Sequence, residues 1–147
     1  MSDVSLPIHR LFDDVVLPEY AYAGDAGLDL RTHEAFSLEP HQRTLVSTGI
    51  QVAIPEGYAG FVLPRSGLAI RRGLTLVNAP GLIDSHYRGE VKLAVVNLDP
   101  NNVVTVARGE RIAQLVVLPV PVVRLHEVAE LGETDRGSHG FGSSGTA

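Results

Sequence analysis

Four side chains of different chemistry fall close together in this chain: the amide of Asn78, the carboxylate of Asp84, the phenol of Tyr87 and the guanidinium of Arg88. They lie in the run Asn78-Ala79-Pro80-Gly81-Leu82-Ile83-Asp84-Ser85-His86-Tyr87-Arg88-Gly89-Glu90. Such a set could read a base edge, activate a water, cover the apolar face of a sugar and hold nearby structure. Thr75-Leu76-Val77 leads in and Val91-Lys92-Leu93-Ala94-Val95 leads out, so the run reads as a strand, a tight turn and a returning strand. Pro80-Gly81 predicts the turn, because proline presets φ and glycine tolerates positive φ.

Other segments offer groups that suit an anion. In Pro64-Arg65-Ser66-Gly67-Leu68-Ala69 a strand gives way to a short helix, and Ser66 is placed to cap it. Free N–H groups at such a junction bind phosphate, and Arg65 can pair with phosphate oxygens or orient a carboxylate. By itself the segment equally fits a capped turn with a surface arginine. Arg108-Gly109-Glu110-Arg111-Ile112-Ala113-Gln114 is a charged turn running into a strand, and Gln114 could donate to a phosphate oxygen. Asp29, between Leu28 and Leu30, could hold the water shell of a magnesium ion or simply close an Asx turn. The stretch Arg136-Gly137-Ser138-His139-Gly140-Phe141-Gly142-Ser143-Ser144-Gly145 carries many N–H groups with little steric cover, a composition that can nest phosphate or stay disordered. Phe141, its one aromatic, calls for something flat to stack on. The six histidines show no metal-ligand spacing; His86, at the hairpin tip, is the one nearest the chemistry.

The elements that must position these groups are strands. Ile50, Val52 and Ile54 alternate with Gln51 and Ala53, and Val91, Leu93 and Val95 alternate with Lys92 and Ala94, the period of a half-buried strand. Further strand-like runs are Ala59–Leu63, Leu74–Val77, Val103–Ala107 and Ile112–Leu118, separated by turn signals such as Pro55-Glu56-Gly57 and Asp99-Pro100-Asn101-Asn102. The pattern predicts an all-β sandwich, jelly roll or barrel with one short helix over Gly67–Arg72. Pro119 and Pro121 interrupt the apolar stretch Leu115–Val123, which predicts an edge or a crossing between chains. From Gly132 the composition turns to glycine and serine, so residues 1–131 are expected to form one domain and 132–147 a flexible tail.

Composition narrows the class. A chain of 147 residues is one domain large enough for a true core. Hydrophobic residues make up 44% and charged residues 20%, which sets aside intrinsic disorder. A net charge of −5 argues against a nucleic-acid partner, while a small anion needs only a local basic cluster. There is no cysteine, so thiolate metal sites, disulfides and thiol nucleophiles are excluded, in keeping with a cytoplasmic location. Met1–Asp14 lacks the apolar region of a signal peptide, and no run approaches the ~20 apolar residues of a membrane span.

Five segments together, Ala23–Leu30, Pro64–Ala69, Gly81–Glu90, Arg108–Gln114 and Arg136–Gly145, resemble the five ordered motifs of the homotrimeric dUTPase family. The match spans nearly the whole chain; Ser144 stands where the family often has threonine, and His139 is at a variable position. The resemblance implies a jelly-roll-like fold that trimerises, with each active site built from three chains, and magnesium-dependent hydrolysis of dUTP to dUMP and pyrophosphate. Such a reaction limits uracil incorporation into DNA and supplies dUMP for dTMP synthesis. By motif position Asp84 is the general base for in-line water attack on the α-phosphorus, and Tyr87 packs on the deoxyribose and excludes a 2′-hydroxyl. Asn78 and the hairpin backbone at Gly81 and Ile83 bind the uracil edge. Ser66, Gly67 and Gln114 contact phosphates, with Arg65 binding or supporting them, and Asp29 orients magnesium-bound waters. Arg136 is carried by the tail toward the γ-phosphate, and Phe141, with Gly142 beside it, over the uracil.

Uracil offers an N3–H donor and an O4 acceptor, whereas cytosine reverses both, so a site built for one leaves groups unpaired with the other, at about 1–3 kcal/mol each. A dCTP deaminase shares the fold but needs no water poised at the α-phosphorus, and the tyrosine hairpin and aromatic tail favour dUTPase. A nucleotide-gated signalling protein predicts binding without turnover. A purely structural trimer explains neither the hairpin nor the tail.

Overall fold

Alternation over Arg43–Val52 (β4) and Glu90–Asn97 (β8) builds the central antiparallel pair, from Arg43↔Val96 to Ser47↔Lys92. The register then shifts before Gln51↔Glu90. Gly49 sits in that shift with φ 73°, and a Cβ there would stand 2.6 Å from Val15 Cγ2. Only glycine meets both demands. Ile8–Arg10 (β1) and Leu74–Leu76 (β6) complete this sheet in the order β1-β4-β8-β6.

The second sheet has the order β2-β10-β5-β7, from Leu28–Arg31 (β2), Arg111–Pro119 (β10), Tyr58–Pro64 (β5) and Gly81–Ile83 (β7). Phe36–Leu38 (β3) and Val104–Val106 (β9) form a small third pair. Val46, Ile50, Leu93 and Val95 of the first sheet join Leu30, Val62, Ile83 and Leu115 of the second in one buried core. Cutting one of the leucines or isoleucines to alanine would cost about 2–5 kcal/mol. The computed structural model describes residues 3–146, so Met1, Ser2 and Ala147, which end the two predicted segments, lie outside it. All the residues below belong to that described part.

The all-β expectation holds, and the differences are local. The strand expected around Ile50–Ile54 begins at Arg43 and ends at Val52, with Ile54 buried just beyond it. Strands β1, β2, β3 and β7 are only three or four residues long, too short to show alternation. The tip after Asn78 is not a plain hairpin turn. The Ala79–Pro80 peptide is cis, and Gly81 does not have positive φ. It begins β7, because Gly81, Leu82 and Ile83 pair with Val62, Phe61 and Gly60 of β5. Leu115–Pro119 lies in the interior strand β10 rather than wholly at an edge; β2 leaves it at Leu115, so Val116–Pro119 is laddered to β5 alone.

The one helix, Ser66–Arg72 (α1), starts a residue earlier than expected, and its N-cap is Arg65, with extended backbone and no side-chain cap. Ser66 is therefore the first helical residue, and its hydroxyl is not engaged in capping. Gly73 ends the helix in the left-handed region (φ 67°) and donates to Ala69 O; a Cβ there would meet Asp99 N at 2.5 Å. That closing loop is firm. The Asp99 carboxylate accepts from the N–H groups of Asn101 and Asn102, which hold its pKa below the usual carboxylate range. No helix among the described residues is long and apolar enough to cross a membrane.

Candidate active site

The expected residues, except those of the tail, gather in two cavities on one chain. The first, about 320 Å³, is lined by Asn78, Gly81, Ile83, Asp84 and Tyr87, with the β8 residues Glu90–Ala94 behind them. β7 brings Gly81 and Ile83 here by pairing with β5, and the turn after it swings Asp84 outward, closed by Tyr87 N–H donating to Asp84 O at 3.1 Å. The Asp84 carboxylate is exposed and makes no hydrogen bond or ion pair among the described residues. It is a proton acceptor facing an open cavity. Asn78 lies across Gly81, where a Cβ would stand 3.2 Å from Asn78 Nδ2. Arg88 holds the loop from outside, its Nη1 donating to Ser85 O at 2.7 Å and Tyr87 O at 2.9 Å. His86 turns away into a separate depression with Pro7, Ile54 and Arg88.

The second cavity, about 500 Å³, holds Asp29, Arg65, Ser66, Gly67 and Gln114. Asp29 and Gln114 are cross-strand partners of β2 and β10, so their side chains share a face. Leu30 points into the core while Asp29, also buried at 8% exposure, is covered by arginines on the other face. Arg65 Nε lies 3.4 Å from one Asp29 oxygen, and Arg111 Nη1 donates to the other at 3.1 Å. Arg65 also donates to the Arg111 carbonyl at 3.0 Å. Of the two roles open to Arg65, the geometry thus gives it the orientation of a carboxylate. Gln114 Nε2 donates to Pro64 O at 3.2 Å, which leaves its second N–H for a ligand. Its Oε1 lies where a Cβ on Gly27 would intrude, 2.7 Å away.

Two further residues bear on this cavity, one through Asp29 and one in its lining, and were not singled out in the sequence. Arg111 fixes Asp29 from 82 positions away, a distance no local pattern reveals. Arg71, on α1, lines the cavity and has no hydrogen-bond or ion-pair partner among the described residues, whereas its neighbour Arg72 is bound to Glu110 at 3.1 Å. Arg136 and Phe141 line neither cavity. Arg136 Nε donates to His139 O at 2.9 Å, and Phe141 is fully exposed. Gly142, in the left-handed region at φ 83°, forms a turn with Gly145.

The dUTPase family model matches residues 13–145 of the chain. A deoxyuridine 5'-triphosphate nucleotidohydrolase of Streptomyces avermitilis is 56% identical over 144 residues, which is 98% of this chain and 82% of the relative. The chain belongs to the dUTPase family. Solved structures of dUTPases share the jelly-roll-like architecture seen here. The dUTPase of Staphylococcus bacteriophage 80alpha with dUPNHPP superposes at a TM-score of 0.88, with 30% identity, over 97% of this chain and 99% of that one. A mutant dUTPase from phage phi11 of S. aureus, solved for its coordination of a structural Mg(II) ion, gives a TM-score of 0.79 at 26% identity, covering 86% and 98%.

Proposed function

We infer that this dUTPase hydrolyses dUTP to dUMP and pyrophosphate, with Asp84 as the general base. The observation that carries the assignment is the unpartnered Asp84 carboxylate sharing one cavity with Asn78 and Tyr87. Asp84 accepts a proton from water as the water oxygen bonds to the α-phosphorus. The bond from that phosphorus to the bridging oxygen breaks, and pyrophosphate leaves with the electron pair. Asn78 and the backbone of Gly81 and Ile83 pair with the uracil edge. The Tyr87 ring packs on the deoxyribose and leaves no room for a 2′-hydroxyl.

Ser66, Gly67 and Gln114 bind the phosphates, and Arg65 supports them by fixing Asp29. Among the described residues no three His, Asp or Glu side chains converge, and both Asp29 oxygens face arginines. That donor set does not fit an ion ligated directly by protein. It fits magnesium that rides on the triphosphate and is held at Asp29 through water. Bound there, magnesium supplies neutralising charge for the phosphates.

The two cavities share no lining residue, which suits a nucleotide bound between copies of the chain, one set of groups from each. We assign a homotrimer with sites between chains. Residues 1–131 form its catalytic body. Residues 132–147 form an arm that carries Arg136 to the γ-phosphate and Phe141, with Gly142, over the uracil of a neighbour. We assign the enzyme to the cytoplasm, with neither nucleic acid nor membrane as partner.

The test is pyrophosphate release from dUTP, dCTP, dTTP and UTP with magnesium, for wild type and Asp84→Asn. Turnover confined to dUTP, and reduced about 10²–10⁴-fold in Asp84→Asn with binding of an imido analogue retained, is the expected result. Ammonia release from dCTP would overturn it in favour of a deaminase, and tight dUTP binding without product would favour a signalling protein.

A further inference from the structure

Gly89 follows Tyr87 and Arg88 at the point where the loop enters β8. Its φ is not positive, so the backbone itself would accept any L-residue. Space is what excludes one. A Cβ at Gly89 would stand 2.6 Å from Tyr87 Cζ and 2.9 Å from Cε2, well inside van der Waals contact. The ring is also anchored at its far end, where Oη donates to the Glu90 carbonyl at 2.9 Å. That anchor is itself fixed: the Glu90 carboxylate accepts from Gly49 N–H at 3.0 Å and from Ser47 Oγ, both on β4. Tyr87 is 46% exposed, so a side chain at 89 can be accommodated only if the ring gives up its anchor and swings outward.

We propose that Gly89 is a positioning residue: by lacking a side chain it lets the Tyr87 ring lie against the loop and sets how much room remains beside the sugar. This rests on the reading of Tyr87 as the surface that packs on deoxyribose. A ring pushed off the loop no longer holds the surface that refuses a 2′-hydroxyl, so the change falls on the choice between dUTP and UTP more than on the proton transfer at Asp84. The hydroxyl of Tyr87 has the matching role of holding the ring down.

The experiment measures kcat/KM for dUTP and UTP in wild type, Gly89→Ala, Tyr87→Ala and the double variant. Gly89→Ala is expected to lower dUTP-over-UTP selectivity by about tenfold or more, within the range that steric discrimination reaches. Placed on Tyr87→Ala, the same change is expected to move selectivity less than twofold. An equal loss in both backgrounds would overturn the proposal, since Gly89 would then act without the ring. If Tyr87→Ala loses selectivity and Gly89→Ala keeps it, the Gly89 inference fails while the Tyr87 reading stands. Unchanged selectivity in Tyr87→Ala itself would sink the Tyr87 reading and the proposal with it. Should Gly89→Ala fail to fold, Tyr87→Phe tests the anchor without touching residue 89. Lowered selectivity supports the proposal, and wild-type selectivity overturns it.

Discussion

Arg71 is the cation lining the cavity of Asp29 and Gln114 that no carboxylate neutralises among the described residues; Arg65 and Arg111 face Asp29. A guanidinium without a partner, beside Ser66 and Gly67, is suited to meet phosphate oxygens. Arg71→Gln should raise KM for dUTP about five- to tenfold with kcat little changed, as befits a partly exposed charge-assisted contact. Steady-state kinetics at two salt concentrations would check it, and an unchanged KM would remove Arg71 from the site. The sequence offered no means of choosing Arg71 over Arg72, two identical neighbours on one helix. Helical geometry turns one toward Glu110 and leaves the other at the cavity. Asp29, by contrast, was legible as an acidic residue out of place between leucines. Arg65 was legible as a cation able to orient a carboxylate, but its pairing with Asp29 was not, nor was Arg111, because both come from distant parts of the chain that only the fold brings together.

At the scale of elements, the strands that alternate over several residues could be read directly, and those set by pairing alone could not. Glu90–Asn97 shows its period; Gly81–Ile83 is a strand only because β5 lies beside it. Reading that run as the arm of a simple hairpin put the right residues at the tip for an incomplete reason. Asn97 is a comparable case. It ends β8 fully buried, with Nδ2 donating to Leu38 O at 3.0 Å and Asn102 O at 2.8 Å, and Oδ1 accepting from Asp99 N–H at 2.8 Å. One amide thus joins β3, β8 and the loop that closes against Gly73 of α1. Asn97→Ala leaves three backbone groups without that partner and should cost about 2–4 kcal/mol, read from urea unfolding as a lower midpoint at constant m-value. A shift below ~0.5 kcal/mol would show that water replaces the amide fully.

For the whole molecule, the last strand ends at Pro119, and Val122, Val123, Leu125 and Leu131 beyond it are largely exposed. An isolated chain gains nothing by exposing so many apolar side chains in succession, which suits burial against another copy. Among the described residues, the glycine-rich part after 131 contributes no side chain to the buried core. A chain ending at Leu131 should therefore keep the melting temperature of the full chain while losing dUTP turnover about a hundredfold or more, because water exclusion and the arm's contacts go with it. Undiminished turnover would detach the arm from the reaction. Strand β7 has a different consequence. The segment carrying Asp84 is laddered to β5 of one sheet, while β6 and β8 on either side of it in sequence belong to the other. It is the edge strand of its sheet, but Gly81 and Ile83 are buried, so loosening it exposes part of the core. In deuterated water the ladder amides of 81–83 should therefore exchange only through global unfolding, whereas those of 85–88 exchange early. The basic carboxylate is mounted at the seam of the fold, so heat would take its alignment and the fold itself in a single step.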